Sequence, residues 1–168
     1  MSKRMVLVGV MSDSHDNLEA IKRAVEFFNS KKVKLVLHAG DIISPFTIRV
    51  FRDLTCPIKA VTGNNDGDLL SLRRFFENKG EIYNFFLSLE VDGVKIAVNH
   101  GHYPEVLDSL ISSGKYDVVI CGHTHEKVNK IVGKTLVVNP GETCGYLTGG
   151  RSIAILDTEK LQAEIVEI

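Results

Sequence analysis

Tryptophan is absent from this 168-residue chain, glutamine occurs once (Gln162), and neither sign of charge predominates. The near loss of glutamine is a bias associated with growth at high temperature. Lysine and arginine number 20 against 21 aspartates and glutamates, a formal charge of −1. That balance argues against a polybasic nucleic-acid binder and against electrostatic attachment to a membrane. The three cysteines, Cys56, Cys121 and Cys144, form no CxxC and cannot all pair. A disulfide framework is therefore not expected, and a reducing compartment, the cytoplasm, is. No apolar run approaches the ~18 residues of a membrane span. The longest, Met5–Met11, stops at Ser12-Asp13, and Asp13 and His15 stand where the small residues of a signal cleavage site would be. The length suits one domain over 1–168, and an apolar content of 44% can fill its core. What the chain does have is six histidines.

Short β-branched runs alternate with amphipathic segments, which predicts an α/β fold. Met5–Met11 reads as a buried strand. Asp16 and Glu19 form a capping box ahead of a helix with Leu18, Ile21, Val25 and Phe28 on one face. Val33–Leu37 is a second strand, followed by a helix opened by Ser44 as N-cap and Pro45 as first residue. Ile58–Val61 is a third strand, and Leu69, Leu72 and Phe76 mark a helix ended by Gly80. Ile82–Val91 and Val94–Val98 flank Asp92-Gly93, a strong hairpin signal. A helix over Pro104–Ser113, with Val106, Leu107, Leu110 and Ile111 on one side, precedes a strand at Tyr116–Cys121. From Lys127 the chain reads as all β: Val128–Val132, Thr135–Val138, Ser152–Leu156 and Leu161–Val166. Helices early and antiparallel strands late fit a mixed sheet, or two sheets packed face to face under helices, better than a purely parallel one.

Residues able to bind a metal follow the predicted strands in order. Asp13 and His15 follow the first, His38 and Asp41 the second, and Asn64, Asn65 and Asp66 the third. His100 and His102 follow Val94–Val98, and His123 and His125 follow Tyr116–Cys121. In open α/β sheets ligands bind beyond the carboxyl ends of strands, and scattered surface histidines would show no such bias. Gly40, Gly63 and Gly122, each beside a donor, permit close approach of the backbone to a ligand. Imidazole and carboxylate without cysteine suit Mn²⁺, Fe²⁺, Ni²⁺ or Zn²⁺ in a reactive site. These donors exceed the need of one ion, and two ions sharing a carboxylate would use seven of them.

The series Asp13-Ser14-His15, Gly40-Asp41, Gly63-Asn64-Asn65-Asp66, Asn99-His100-Gly101-His102 and Gly122-His123-Thr124-His125 resembles the signature of the calcineurin-like metallophosphoesterases. It is most similar to their small single-domain prokaryotic phosphodiesterase branch, and Asn139-Pro140-Gly141 matches a further segment of that branch. The resemblance implies a four-layer α-β-β-α sandwich of two mixed sheets flanked by helices. It implies that Asp13, His15 and His125 hold one divalent ion, that Asn64, His100 and His123 hold the other, and that Asp41 bridges them. Manganese is the first expectation for the two ions, with Ni²⁺, Fe²⁺, Zn²⁺ or Mg²⁺ as alternatives. The implied reaction is in-line hydrolysis of a small phosphate ester, a diester first, by a hydroxide shared between the ions. The alternatives are a phosphomonoesterase, or an interaction scaffold of the same fold such as a eukaryotic retromer subunit. A scaffold would not need histidines at 15, 100, 123 and 125 together. Assembly into a homo-oligomer is left open.

Two positions depart from the family pattern. Ser44 stands where many relatives have an acid, and Asn65 where many have a histidine after the ligand asparagine. Asparagine can donate a hydrogen bond to a phosphoryl oxygen but cannot serve as a general acid. The catalytic residues expected are therefore Asn65, as a phosphate contact, and His102, as the nearest candidate acid. His38 reads as a buried, supporting histidine, Asp66 as an acceptor behind the ligands, and Cys121 as core.

Overall fold

The computed structural model describes residues 6–168; Met5, placed above in the first strand, lies outside them. Eleven strands and four helices follow in the order β1 (Leu7–Met11), α1 (Leu18–Lys31), β2 (Leu35–His38), α2 (Ile48–Phe51), β3 (Ile58–Val61), α3 (Leu69–Phe76), β4 (Gly80–Tyr83), β5 (Phe86–Val91), β6 (Val94–Asn99), α4 (Pro104–Ser112), β7 (Val118–Ile120), β8 (Lys127–Val132), β9 (Thr135–Pro140), β10 (Ser152–Asp157) and β11 (Gln162–Glu167). They build two mixed sheets. The first runs β11-β10-β1-β2-β3-β4 and the second β5-β6-β7-β9-β8. Strands β1 to β4 are parallel, as are β6, β7 and β9, while β10, β11, β5 and β8 pair antiparallel at the flanks.

Two apolar layers hold this arrangement. Val8, Val10, Leu37 and Val61 of the first sheet meet Ile96, Val98, Ile120 and Val138 of the second in one cluster. On the other face of the first sheet, Met11, Val36 and Ile58 pack with Ile21, Val25 and Phe28 of α1, Phe51 of α2 and Leu72 and Phe76 of α3. The central strands are buried on both faces, which is why they read as continuous apolar runs without alternation. Helix α4 covers the second sheet with half-buried Val106, Leu107, Leu110 and Ile111, completing a helix–sheet–sheet–helix sandwich.

Several local expectations change. Helix α1 is capped by Asn17, whose Oδ1 accepts the Ala20 N–H at 3.1 Å, and not by Asp16. Asp16 takes a left-handed backbone (φ 56°) and spends its carboxylate on the Ser44 N–H. Leu18 falls outside the buried stripe, at 43% exposure. Ser44 precedes a single 3₁₀ turn, Pro45–Thr47, makes no side-chain cap and leaves Oγ unpartnered. Gly80 does not end α3; it opens β4 opposite Ile58, where a Cβ would strike the Ile58 carbonyl. The run 82–91 is two strands in different sheets, because the chain crosses between them at Asn84-Phe85, with Phe85 at φ 65°. The Asp92-Gly93 turn forms as expected, both residues at positive φ between paired Val91 and Val94.

Candidate metal centre

The carboxyl ends of β1, β2, β3, β6 and β7 deliver Asp13 and His15, Asp41, Asn64, His100, and His123 and His125 to one edge shared by both sheets. Backbone bonds bind these loops to one another: Asp13 N–H to Gly40 O at 3.0 Å, His15 N–H to Asp41 O at 3.1 Å, and Gly122 N–H to His100 O at 3.0 Å. The loops are strained. Of the eleven non-glycine residues with positive φ among those described, seven lie here: Asp13, His15, Asp16, Asp41, Ile43, His123 and His125. Such conformations cost ~1–3 kcal/mol each and persist only where the surroundings dictate them.

The glycines beside the donors serve close packing of the loops themselves. A Cβ on Gly63 would enter the space of Asp41 Oδ1, and one on Gly122 would lie 2.7 Å from Asp13 Oδ2 and collide with Ser12 Oγ. The groups that approach these backbones are thus the Asp41 carboxylate at Gly63 and the Ser12 hydroxyl with the Asp13 carboxylate at Gly122.

Two imidazoles carry their proton on the outer nitrogen. His100 Nδ1–H donates to Ala39 O at 2.8 Å, and His125 Nδ1–H donates to Glu142 Oε2 at 2.6 Å. Each therefore turns the Nε2 lone pair inward. His125 Nε2 lies 3.3 Å from Asp13 Oδ1, and His100 Nε2 lies 3.3 Å from Asp41 Oδ2 and 3.1 Å from Asn64 Oδ1. His15 Nε2 lies between the carboxylates, 3.8 Å from Asp13 Oδ1 and 3.5 Å from Asp41 Oδ2. The His123 ring centroid is 5.2 Å from that of His100, and the His123 N–H bonds Asp13 Oδ2 at 3.0 Å.

Lone pairs facing carboxylates repel unless positive charge stands among them. Two of the atoms turned inward, Asp13 Oδ1 and His15 Nε2, are buried without any hydrogen-bond partner. Leaving such atoms unpaired is costly, and a cation removes the cost. Asp13, His15 and His125 form one group able to hold an ion, and Asp13, Asp41 and His100 another. The donor set fits divalent cations.

The electrostatics call for positive charge at the same place. Burial pushes the Asp41 carboxyl up, but His100 and the two Asn65 donors outweigh it and hold the group well below the usual carboxylate range. Burial also opposes ionisation of Asp13, and His15, His100, Ser12 and His125 overcome it, so its pKa is lowered. Against burial, Asp41 and Asp13 raise the pKa of His100, and Asp13 leads the causes that raise His15.

The calcineurin-like phosphoesterase superfamily domain model matches residues 6–161. The chain belongs to that superfamily. It is 49% identical over 155 residues to a phosphodiesterase of Methanocaldococcus jannaschii, covering 91% of this chain and 93% of that one. It superposes with a TM-score of 0.93 on a solved archaeal phosphodiesterase, 45% identical, covering 97% of this chain and 100% of the other. The Vps29 protein of Chaetomium thermophilum shares the fold at 17% identity, with a TM-score of 0.72 and coverage of 97% and 96%.

In this calcineurin-like phosphoesterase, Asn65 is bound to Asp41 twice: its backbone N–H reaches Oδ1 at 2.9 Å and its Nδ2 reaches Oδ2 at 2.8 Å. His102 is half-buried, edge-on to Phe85 at 5.7 Å, with its ring 5.6 Å from His100 and 6.1 Å from His123. Burial, then His100 and His123, push its pKa down. His38 is fully buried. Its Nδ1 accepts the Gly40 N–H at 3.1 Å, so Nε2–H donates to Ser14 Oγ at 2.8 Å.

Sequence reasoning missed Glu142, which is 1% exposed beside His125. The signal was present: β9 is parallel to β7 and ends at Pro140, so Glu142 follows a sixth strand as the other donors follow theirs. Burial raises the Glu142 carboxyl, but bonds from Thr148, His125 and Leu147 outweigh it and bring the pKa to about 2.

Proposed function

We propose that this superfamily member is a phosphodiesterase acting on small phosphate esters through two divalent cations, manganese first. In this reading residues 1–168 act as one domain. Asp13, His15 and His125 would hold one cation, Asn64, His100 and His123 would hold the other, and Asp41 would be shared by both. The observation that carries it is the pair of buried, unpartnered atoms, Asp13 Oδ1 and His15 Nε2, set among inward-facing Nε2 atoms. Asp41 supports the bridging role by lying within 3.5 Å of both His15 Nε2 and His100 Nε2.

Cations bound there supply Lewis acidity toward phosphoryl oxygens and the attacking water. The protein's own groups do the rest. Asp13 and Asp41 stay ionised, and Asn65 fixes the Asp41 carboxylate from two sides. Its amide thereby orients the bridging residue as well as serving the phosphoryl group. His102 gives a proton to the leaving oxygen. Its lowered pKa makes it a readier donor once protonated but limits the protonated fraction at neutral pH. The small protonated fraction favours esters whose leaving group needs little protonation, which points to diesters, as does similarity to an archaeal phosphodiesterase. Three buried, free cysteines support a reducing compartment such as the cytoplasm. Among the described residues no helix is long and apolar enough to cross a membrane.

The test compares bis(p-nitrophenyl) phosphate with p-nitrophenyl phosphate on chelator-stripped and Mn²⁺-reloaded protein. Hydrolysis should vanish on stripping and return with Mn²⁺, faster for the diester. Full activity in the stripped state, or a clear preference for the monoester, would overturn the reading.

A further inference from the structure

Glu142 sits where a single carboxylate serves two clients. On one side it accepts His125 Nδ1–H at 2.6 Å. On the other it accepts the Leu147 N–H at 3.1 Å, the Thr148 N–H at 2.5 Å and the Thr148 hydroxyl at 2.6 Å. The Cys144 thiol adds a contact at 3.2 Å. An ionised carboxylate has about four acceptor positions, so both clients draw on the same saturated group.

Residues 143–150 form an irregular loop containing Gly145, Gly149 and Gly150. Its first part is tied to the metal centre, with Thr143 N–H on Ser12 O, Cys144 N–H on Asp13 O and Asn17 Nδ2–H on Cys144 O. Beyond Cys144 the turn is held back to the body of the protein by the Glu142 carboxylate. At its crest Tyr146 and Leu147 are 62% and 75% exposed.

We propose that Glu142 is a positioning residue that couples cation binding at His125 to the closed form of the Cys144–Thr148 turn. The inference rests on the cation reading above. An ion on Nε2 makes Nδ1–H a stronger donor and fixes the carboxylate. The fixed carboxylate keeps its bonds to Leu147 and Thr148, and a turn already closed returns the same advantage to the ion, because coupling between sites is reciprocal. The turn that carries Tyr146 and Leu147 beside the centre is thus set by the state of the centre.

Mn²⁺ titration calorimetry and limited chymotrypsin cleavage test this on the whole chain, with Phe46 and Leu70, 66% and 82% exposed, as reference cleavage positions. In wild type, Mn²⁺ should slow cleavage at Tyr146 and Leu147 more than at the reference positions. Glu142→Gln, which keeps size but drops the charge, should weaken Mn²⁺ binding by roughly 10–100-fold and abolish the selective protection. Thr148→Val touches only the exposed end of the relay, so the core stays intact. It should weaken Mn²⁺ binding by roughly three- to tenfold and speed cleavage, while Thr148→Ser restores both. If wild type binds Mn²⁺ and both Glu142→Gln and Thr148→Val bind it equally well, the coupling is overturned and the cation site stands. If wild type takes up no Mn²⁺, both readings fall.

Discussion

Asp66 accepts the backbone N–H of Asp41 at 3.0 Å, and holds that residue in a left-handed conformation that an aspartate does not adopt by preference. The same carboxylate accepts from Ile42, Ile43 and Gly63, so it organises two site loops at once. Asp66→Asn keeps one acceptor oxygen and turns a donor toward two of these N–H groups. At ~1–3 kcal/mol per unsatisfied group, the loss should be about 2–5 kcal/mol. For a chain of this size that lowers Tm by roughly 5–15 °C. Calorimetry showing an unchanged Tm would mean that the loops are held by other contacts.

Asp41→Asn should remove activity while the fold persists. The amide is nearly the same size, but it cannot supply the negative charge that faces His15 and His100 and that the proposed cations require. Diester turnover should fall at least ~100-fold, with an unchanged far-UV spectrum. Wild-type rates in a cleanly folded preparation would defeat the bridging assignment.

His102→Ala separates a proton donor from a bystander. Turnover of a diester with an alkyl leaving group should drop ~10²–10⁴-fold, and a p-nitrophenyl diester should lose far less. Metal content should stay full, since His102 is not among the residues assigned to either cation. Equal rates on both substrates before and after substitution would remove His102 from the reaction.

Stability should depend on His38 at mildly acidic pH. Burial holds its pKa down at about 4, against an ordinary 6.5. The unfolded chain therefore binds the proton first as pH falls. The stabilisation from keeping this ring neutral is complete above pH 6.5 and is lost as pH falls toward 4. The difference corresponds to on the order of 3 kcal/mol. His38→Gln should flatten the fall of ΔG between pH 6.5 and 4, measured by urea unfolding. A slope equal to wild type would assign the acid sensitivity elsewhere.

The order of strands and the donors after them were legible because both are local: a buried strand is a run of apolar residues, and a loop beyond it begins where the run stops. Asn17, Ser44 and Gly80 were not so readable. Asp16 was drawn away from capping by the distant Ser44 N–H, and Gly80 is required by the Ile58 carbonyl of a neighbouring strand. The strand-like run 82–91 concealed the crossing at Asn84-Phe85, because strand propensity is local and does not say which sheet a residue joins.

The sequence by itself determined the α/β class, the hairpin at Asp92-Gly93 and the identity of the residues at the sheet edge. These follow from periodicity, turn chemistry and donor type, all properties of neighbouring residues. Tertiary structure alone decided which nitrogen of His100 and His125 faces inward, that Asn65 holds Asp41, and that Glu142 joins the centre. Each depends on a hydrogen bond spanning 17 to 61 positions of chain. No local pattern encodes such a bond; it exists only once the two sheets have packed.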